Sequence, residues 1–243
     1  MKPLSIFDGG FVFFGMRCFF PFFALMSVVS ITTGAKLDKI VLSDAGKRFN
    51  REWIYRHCDY ELEVGRAYAI TGPNGSGKST LLQAIAGSMQ LSEGRIVWND
   101  QQEKNIDGEQ IYKQLAIAAP YLELIEEMTA KEFLEFHTQF KPLIATVTID
   151  EILSIIGLEK AVGKQIRYFS SGMKQRVKLA QAIFSDVPLL LLDEPCTNLD
   201  ASGYALYHSL IKNYCMHKLI VVSSNDESEF NFCDQVVKIM DYK

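Results

Sequence analysis

The run Gly72-Pro73-Asn74-Gly75-Ser76-Gly77-Lys78-Ser79-Thr80 limits what this 243-residue chain can fold into more than any other stretch. It satisfies the pattern G-x-x-x-x-G-K-[ST] of a phosphate-binding loop. Ahead of it Tyr68, Ala69 and Ile70 read as a short buried strand, and behind it Leu81, Leu82, Ile85 and Ala86 recur at helical spacing. Strand, glycine turn and helix therefore stand in the order that such a loop needs.

Phosphates must be met by several backbone N–H groups at close range, which residues without a bulky Cβ allow. Gly72, Gly75 and Gly77 supply that freedom, and Pro73, Asn74, Ser76 and Thr80 complete the cradle. A helix beginning near Lys78 turns its positive end and its unpaired N–H groups toward the same anion. Lys78 is then expected to reach the β- and γ-phosphates, and the Ser79 hydroxyl to sit on Mg²⁺. A glycine-rich turn that binds nothing would require neither the lysine nor the Ser-Thr pair.

A second chemical feature lies downstream. Leu189-Leu190-Leu191-Leu192 is a continuous apolar run suited to the middle of a parallel sheet, and it ends in Asp193-Glu194-Pro195. Two carboxylates at the carboxyl edge of such a sheet stand where open α/β folds bind ligands. Asp193 is expected to hold the metal shell and Glu194 to orient and polarise an attacking water.

Between the two features the alternating α/β pattern is interrupted. Thr129 with Glu132, and Thr148 with Glu151, form capping boxes ahead of the apolar runs Phe133-Leu134 and Ile152-Leu153, and Gly157 stops the second helix. Two helices with no strand between them predict a helical subdomain inserted over residues 121–165. Ser170-Ser171-Gly172 opens a further helix, with Lys174, Gln175, Arg176 and Lys178 assigned to its polar face. Strands are expected at Lys39–Leu42, Tyr60–Val64, Arg95–Trp98, Leu115–Ala119, Leu219–Ser223 and Gln235–Met240, a turn at Asp44-Ala45-Gly46, and a helix over Ala205–Tyr214. Phe49, Trp53 and Tyr55 are candidates to stack on an adenine ring.

The balance of 25 Lys+Arg against 29 Asp+Glu, a net charge of -4, argues against nucleic acid held by general electrostatics. Cysteines 18, 58, 196, 215 and 233 form no C-x-x-C pair and read as reduced, mostly buried thiols. Residues 1–36 differ in kind from the rest. Phe11 to Val29 is almost wholly apolar and, at about 1.5 Å per residue, nearly long enough to cross a bilayer, but Arg17 and Pro21 interrupt it. A membrane-associated helix, a secretory signal and a dispensable extension ahead of Met26 or a later start all remain open; a secretory signal sits poorly with a nucleotide enzyme. Folded structure is expected from Leu37, as one domain over 37–243.

With these motifs in view, the chain from Leu37 onward resembles the ATP-binding cassette (ABC) family. Gly72 to Thr80 resembles its Walker A loop, Leu189 to Asp193 its Walker B strand, Glu194 its catalytic glutamate and Asn198-Leu199-Asp200 its D-loop. Phe169-Ser170-Ser171-Gly172-Met173 occupies the place of the signature motif, usually L-S-G-G-Q, and Phe49 that of the adenine-stacking aromatic. The resemblance implies an α/β fold: a P-loop NTPase sheet with an ABC-type antiparallel β-subdomain and the inserted helical subdomain. It also implies ATP and Mg²⁺ as ligands, and a homodimer or heterodimer of cassettes paired head to tail. In that dimer Ser170, Ser171, Gly172 and Asp200 complete the partner's nucleotide site. A separate membrane-spanning permease would hold the chain at the cytoplasmic face of the membrane, where the N-terminal segment could add an anchor.

Four positions depart from the family's pattern. Ser171 stands where Gly is usual and Met173 where Gln is usual. Tyr121 replaces the Q-loop glutamine, and Asn225 the switch histidine, which makes Asn225 an uncharged donor toward the γ-phosphate. The reading is an ATPase that drives transport, with two alternatives: a slow or non-hydrolysing ATP-gated regulatory module, and a soluble ABC ATPase not coupled to transport. The last usually carries tandem cassettes or a long coiled coil, and this chain shows neither.

Overall fold

The computed structural model describes residues 36–243; the apolar stretch at 11–29 and its three readings lie outside them. Among the described residues nine strands form two sheets. The antiparallel sheet has the order β2 (Glu52–Glu63), β1 (Leu37–Phe49), β4 (Glu93–Asp100), β5 (Asn105–Ile106). The other runs β6 (Leu115–Ala118), β7 (Leu189–Asp193), β8 (Leu219–Ser223), β3 (Ala67–Thr71), β9 (Gln235–Lys238), and every neighbouring pair in it is parallel. The helices are α1 (Lys78–Ile85), α2 (Ala130–Thr138), α3 (Ile149–Ile155), α4 (Ser171–Ile183), α5 (Ala201–Tyr214) and the short α6 (Glu227–Phe230). None of the described helices is long and apolar enough to cross a membrane.

Strand alternation explains why the parallel sheet is sandwiched. On β6, β7 and β8, Ala116, Ala118, Leu190, Leu192, Ile220 and Val222 join a core with α2, α3, α4 and α5. The intervening residues, Leu115, Leu189, Leu191, Leu219 and Val221, join a second core with α1 and the antiparallel sheet. All five residues of β7 are buried, as its unbroken apolar run requires. The helices at 130–155 thus pack on one face of the sheet through Phe133, Leu134, Ile152 and Leu153. Both capping boxes are present, with Thr129 and Thr148 each accepting from the backbone of the glutamate three residues on.

Three local expectations are corrected. Asp44-Ala45-Gly46 is not a turn but a bulge inside β1, where the register against β2 shifts and Asp44 adopts φ 49° opposite His57 at φ 53°. The hairpin reverses instead at Asn50, φ 54°, so both strands are longer than their alternation suggested. Helix α5 starts at Ala201 rather than Ala205, because the Asp200 side chain caps it by accepting from the Gly203 N–H at 2.8 Å. The last strand ends at Lys238 and continues as a 3₁₀ turn over Ile239–Tyr242.

Candidate functional site

The parallel register brings three strand ends level. Ile70 of β3 and Asp193 of β7 both pair with Ser223 of β8, so the phosphate loop after β3, the acidic pair after β7 and Asn225 after β8 leave the sheet at one edge. That edge is where a doubly wound sheet opens a crevice.

The loop itself is shaped by close contacts. Gly77 precedes α1 at φ 107°, and a Cβ there would lie 2.3 Å from Ile54 Cγ2 of β2. Only glycine meets both demands, the left-handed backbone and the approach of the antiparallel sheet. Lys78 is 5% exposed, and its Nζ donates to the carbonyls of Gly72 at 2.8 Å and Pro73 at 3.4 Å. A buried ammonium held by neutral carbonyls lacks a counter-charge, which suits an anion at the loop. The Ser76 hydroxyl is buried without a partner. Asn225 reaches the same segment from β8: its Oδ1 accepts from the Gly72 N–H at 3.2 Å, and its Nδ2 donates to Asn74 Oδ1 at 3.0 Å.

Asp193 is buried at 3% exposure, and its Oδ1 has no hydrogen-bond partner. An orphaned carboxylate oxygen at a strand end fits a metal ion, or water on one, better than it fits a structural role. Glu194, half-buried, adopts φ 43° and donates its N–H to Ser223 O at 2.9 Å. Strain of this kind concentrates where a side chain must be aimed.

Tyr121 stands close enough for its phenol to feel Asp193. Burial pushes its pKa up, contact with the Gln83 side chain works against that, and the Asp193 charge raises it further. The phenol is therefore neutral near pH 7 and carries a proton to donate. Of the three aromatics at the hairpin, Tyr55 is fully buried, and Trp53 lies under the guanidinium groups of Arg48 and Arg56. Phe49 is 47% exposed, with the Lys47 ammonium 5.1 Å from its ring centre.

The segment at 170–172 belongs to another surface. Ser170 caps α4 by accepting from the Met173 N–H at 3.2 Å, and Gly172 follows within the first turn. Ser170, Ser171, Gly172, Asn198 and Asp200 line a groove of about 620 Å³ that also carries Lys160, Lys164 and Arg176. No residue from 72 to 80 lines it.

Among the described residues, Asp44, His57 and Glu93 also converge closely enough to suggest a metal, but the Arg56 guanidinium engages both oxygens of Glu93.

The family model described as "ABC transporter" matches residues 55–197, more than half of the chain. The chain belongs to the ABC transporter family. It is 30% identical to the uncharacterized ABC transporter ATP-binding protein YybJ of Bacillus subtilis, over 77% of this chain and 86% of YybJ. It is 29% identical to YhcH of the same organism over 80% of this chain, but spans only 65% of that longer protein. Among solved structures it is similar to the dimeric structure of MJ0796, a bacterial ABC transporter cassette. There the TM-score is 0.69 at 23% identity, covering 82% of this chain and 94% of that one. The fold is thus the ABC-type α/β cassette expected from the sequence.

Within this ABC cassette, several supporting residues are invisible to motif reading. Gln175, assigned to the polar face of α4, is buried at 3% exposure and donates through Nε2 to the Pro195 carbonyl at 2.6 Å. Its spacing of four from Leu179, on a buried stripe that continues to Ile183, was the available signal. Glu229 of α6 is buried, and its Oε1 accepts from the Cys196 N–H at 2.8 Å. Burial raises its pKa. Gln175 and Glu229 therefore grip the turn that follows Asp193 and Glu194 from two sides.

Proposed function

We propose that this chain is the ATP-binding and hydrolysing subunit of an ABC transporter and powers transport through a separate membrane-spanning subunit. The observation that carries the reading is the shared sheet edge. Lys78, lacking a counter-charge, the orphaned oxygen of Asp193 and the strained Glu194 follow the two parallel strands that flank β8, at one edge of the sheet.

In this reading the N–H groups of Asn74, Gly75 and residues 77–80 and the Lys78 ammonium bind the phosphates, while the exposed Phe49 stacks on the adenine. Ser79 and Asp193 would hold Mg²⁺, which supplies charge neutralisation on the phosphate oxygens. Glu194 orients a water and takes its proton as the water oxygen bonds to the γ-phosphorus. The bond to the bridging oxygen breaks, leaving ADP and inorganic phosphate.

The cationic groove at 170–172 supports a two-chain site, because it presents a helix N-terminus and three basic side chains away from the chain's own loop. Two copies, or this chain and a second cassette, would close head to tail over ATP, and MJ0796, with a like fold, was solved as a dimer. Phe136, Phe140 and Ile125 are exposed around a groove of about 270 Å³ between α2 and the segment after β6. That groove suits an apolar segment of a permease at the cytoplasmic face of the membrane. Residues 1–36 stand outside this reading of the domain, and nucleic acid has no place in it.

The test is ATP turnover by the wild type beside Glu194→Gln. The variant should keep ATP affinity and lose turnover by about 10²- to 10⁴-fold. Equal, background turnover in both would leave the second reading, a slow or non-hydrolysing module. Tyr121 and the uncharged Asn225 favour that reading.

A further inference from the structure

We infer that Asn225 is a positioning residue that holds the first half of the phosphate loop in its nucleotide-receiving shape, and so acts on ADP and ATP alike. The inference rests on the nucleotide-binding reading of the loop. Pro73, Asn74 and Gly75 are exposed, and the loop's own backbone ties this part only through the Ser76 N–H to Pro73 O, at 3.0 Å. An exposed segment with so few contacts gives up conformational freedom when a ligand orders it.

Asn225 removes part of that cost beforehand. Its amide oxygen accepts from the Gly72 N–H and its amide nitrogen donates to Asn74 Oδ1, while the Lys78 ammonium donates to the Gly72 and Pro73 carbonyls. The clamp is itself anchored. Ser224 N–H donates to Ile70 O at 3.2 Å, Asp226 N–H to Ser224 Oγ at 3.0 Å, and Tyr204 Oη to Asp226 Oδ2 at 2.9 Å. Both ends of the Asn225 amide are thus engaged by the loop, and the side chain bears no charge with which to favour a third phosphate. A pre-shaped loop benefits whichever nucleotide enters it.

The test measures dissociation constants of Mg-ADP and of a non-hydrolysable Mg-ATP analogue for the full chain, for Asn225→Ala, for Asn74→Ala and for the double variant. Asn225→Ala should weaken both nucleotides by the same factor, about five- to tenfold. Asn74→Ala should do less, and the double variant should match Asn225→Ala instead of multiplying the two losses. Melting of the nucleotide-free variants checks that they fold. A loss confined to the ATP analogue would overturn the inference and make Asn225 a γ-phosphate contact. Unchanged affinity for both nucleotides would overturn it too, with the loop's function intact. Failure of the wild type to bind either nucleotide would overturn the binding reading, and the inference with it.

Discussion

Substituting Gly77 by alanine tests why the loop must be glycine at that point. Two costs are separable in the structure. The backbone stands at φ 107°, where an L side chain is strained by about 1–2 kcal/mol. The new methyl would also lie 2.3 Å from Ile54 Cγ2, an overlap that forces shifts costing about 1–3 kcal/mol. Together they predict a loss of about 2–5 kcal/mol, a large part of the roughly 5–15 kcal/mol that holds an ordinary domain together. The next nearest atoms, Ile54 O and Cβ, stand at 3.6 and 3.7 Å, which is ordinary contact. Removing Cγ2 with Ile54→Ala should therefore abolish the overlap and leave the strain. Equilibrium urea unfolding of the wild type, both single variants and the double variant gives the cycle. Gly77→Ala should cost about 1–3 kcal/mol less in the Ile54→Ala background. An equal cost in both backgrounds would refute the steric half of the reasoning.

Gln175→Ala removes the buried donor to Pro195 O and should cost about 1–3 kcal/mol of stability; on the role proposed for Glu194, ATP turnover should fall further, since the turn that Gln175 steadies follows that carboxylate. Gln175→Glu, which retains the acceptor but not the amide donor, should not restore either. The His137 imidazole, pushed down to about 4 by burial and then by the Lys141 charge, remains neutral in the fold and donates to Ser185 Oγ, which itself donates to Gln181 O. Its ordinary value is 6.5, so above that pH both folded and unfolded chains hold it neutral and nothing is lost. As pH falls from 6.5 toward 4 the unfolded chain alone takes up the proton, and stability should drop. At full strength the drop would be about 3 kcal/mol, and about 1–2 kcal/mol remains because water partly reaches the ring. Urea midpoints of the wild type against His137→Gln over that range check it: the variant should lack this part of the slope. Thr148→Ala removes a cap from α3 and should cost about 1 kcal/mol in the same assay.

The sequence by itself determined the parts of this protein whose causes are local. The phosphate loop, the capping boxes at Thr129 and Thr148, the stop at Gly157 and the buried strand ending in Asp193-Glu194 depend on residues within a few positions of one another, so their spacing is their physics. Turn formers are a weaker signal of the same kind. Asp44-Ala45-Gly46 became a bulge, because pairing on both sides of β1 kept the strand running through it.

Tertiary structure alone decided which distant groups meet the loop. Asn225 lies more than 150 residues from Gly72, and only the order β8-β3 in the parallel sheet turns its amide onto the loop. Ile54 against Gly77, Gln175 under Pro195 and Glu229 on Cys196 were settled the same way. The physical reason is that side-chain pattern encodes which face of an element is buried, whereas the partner on that face is chosen by how the sheets and helices stack.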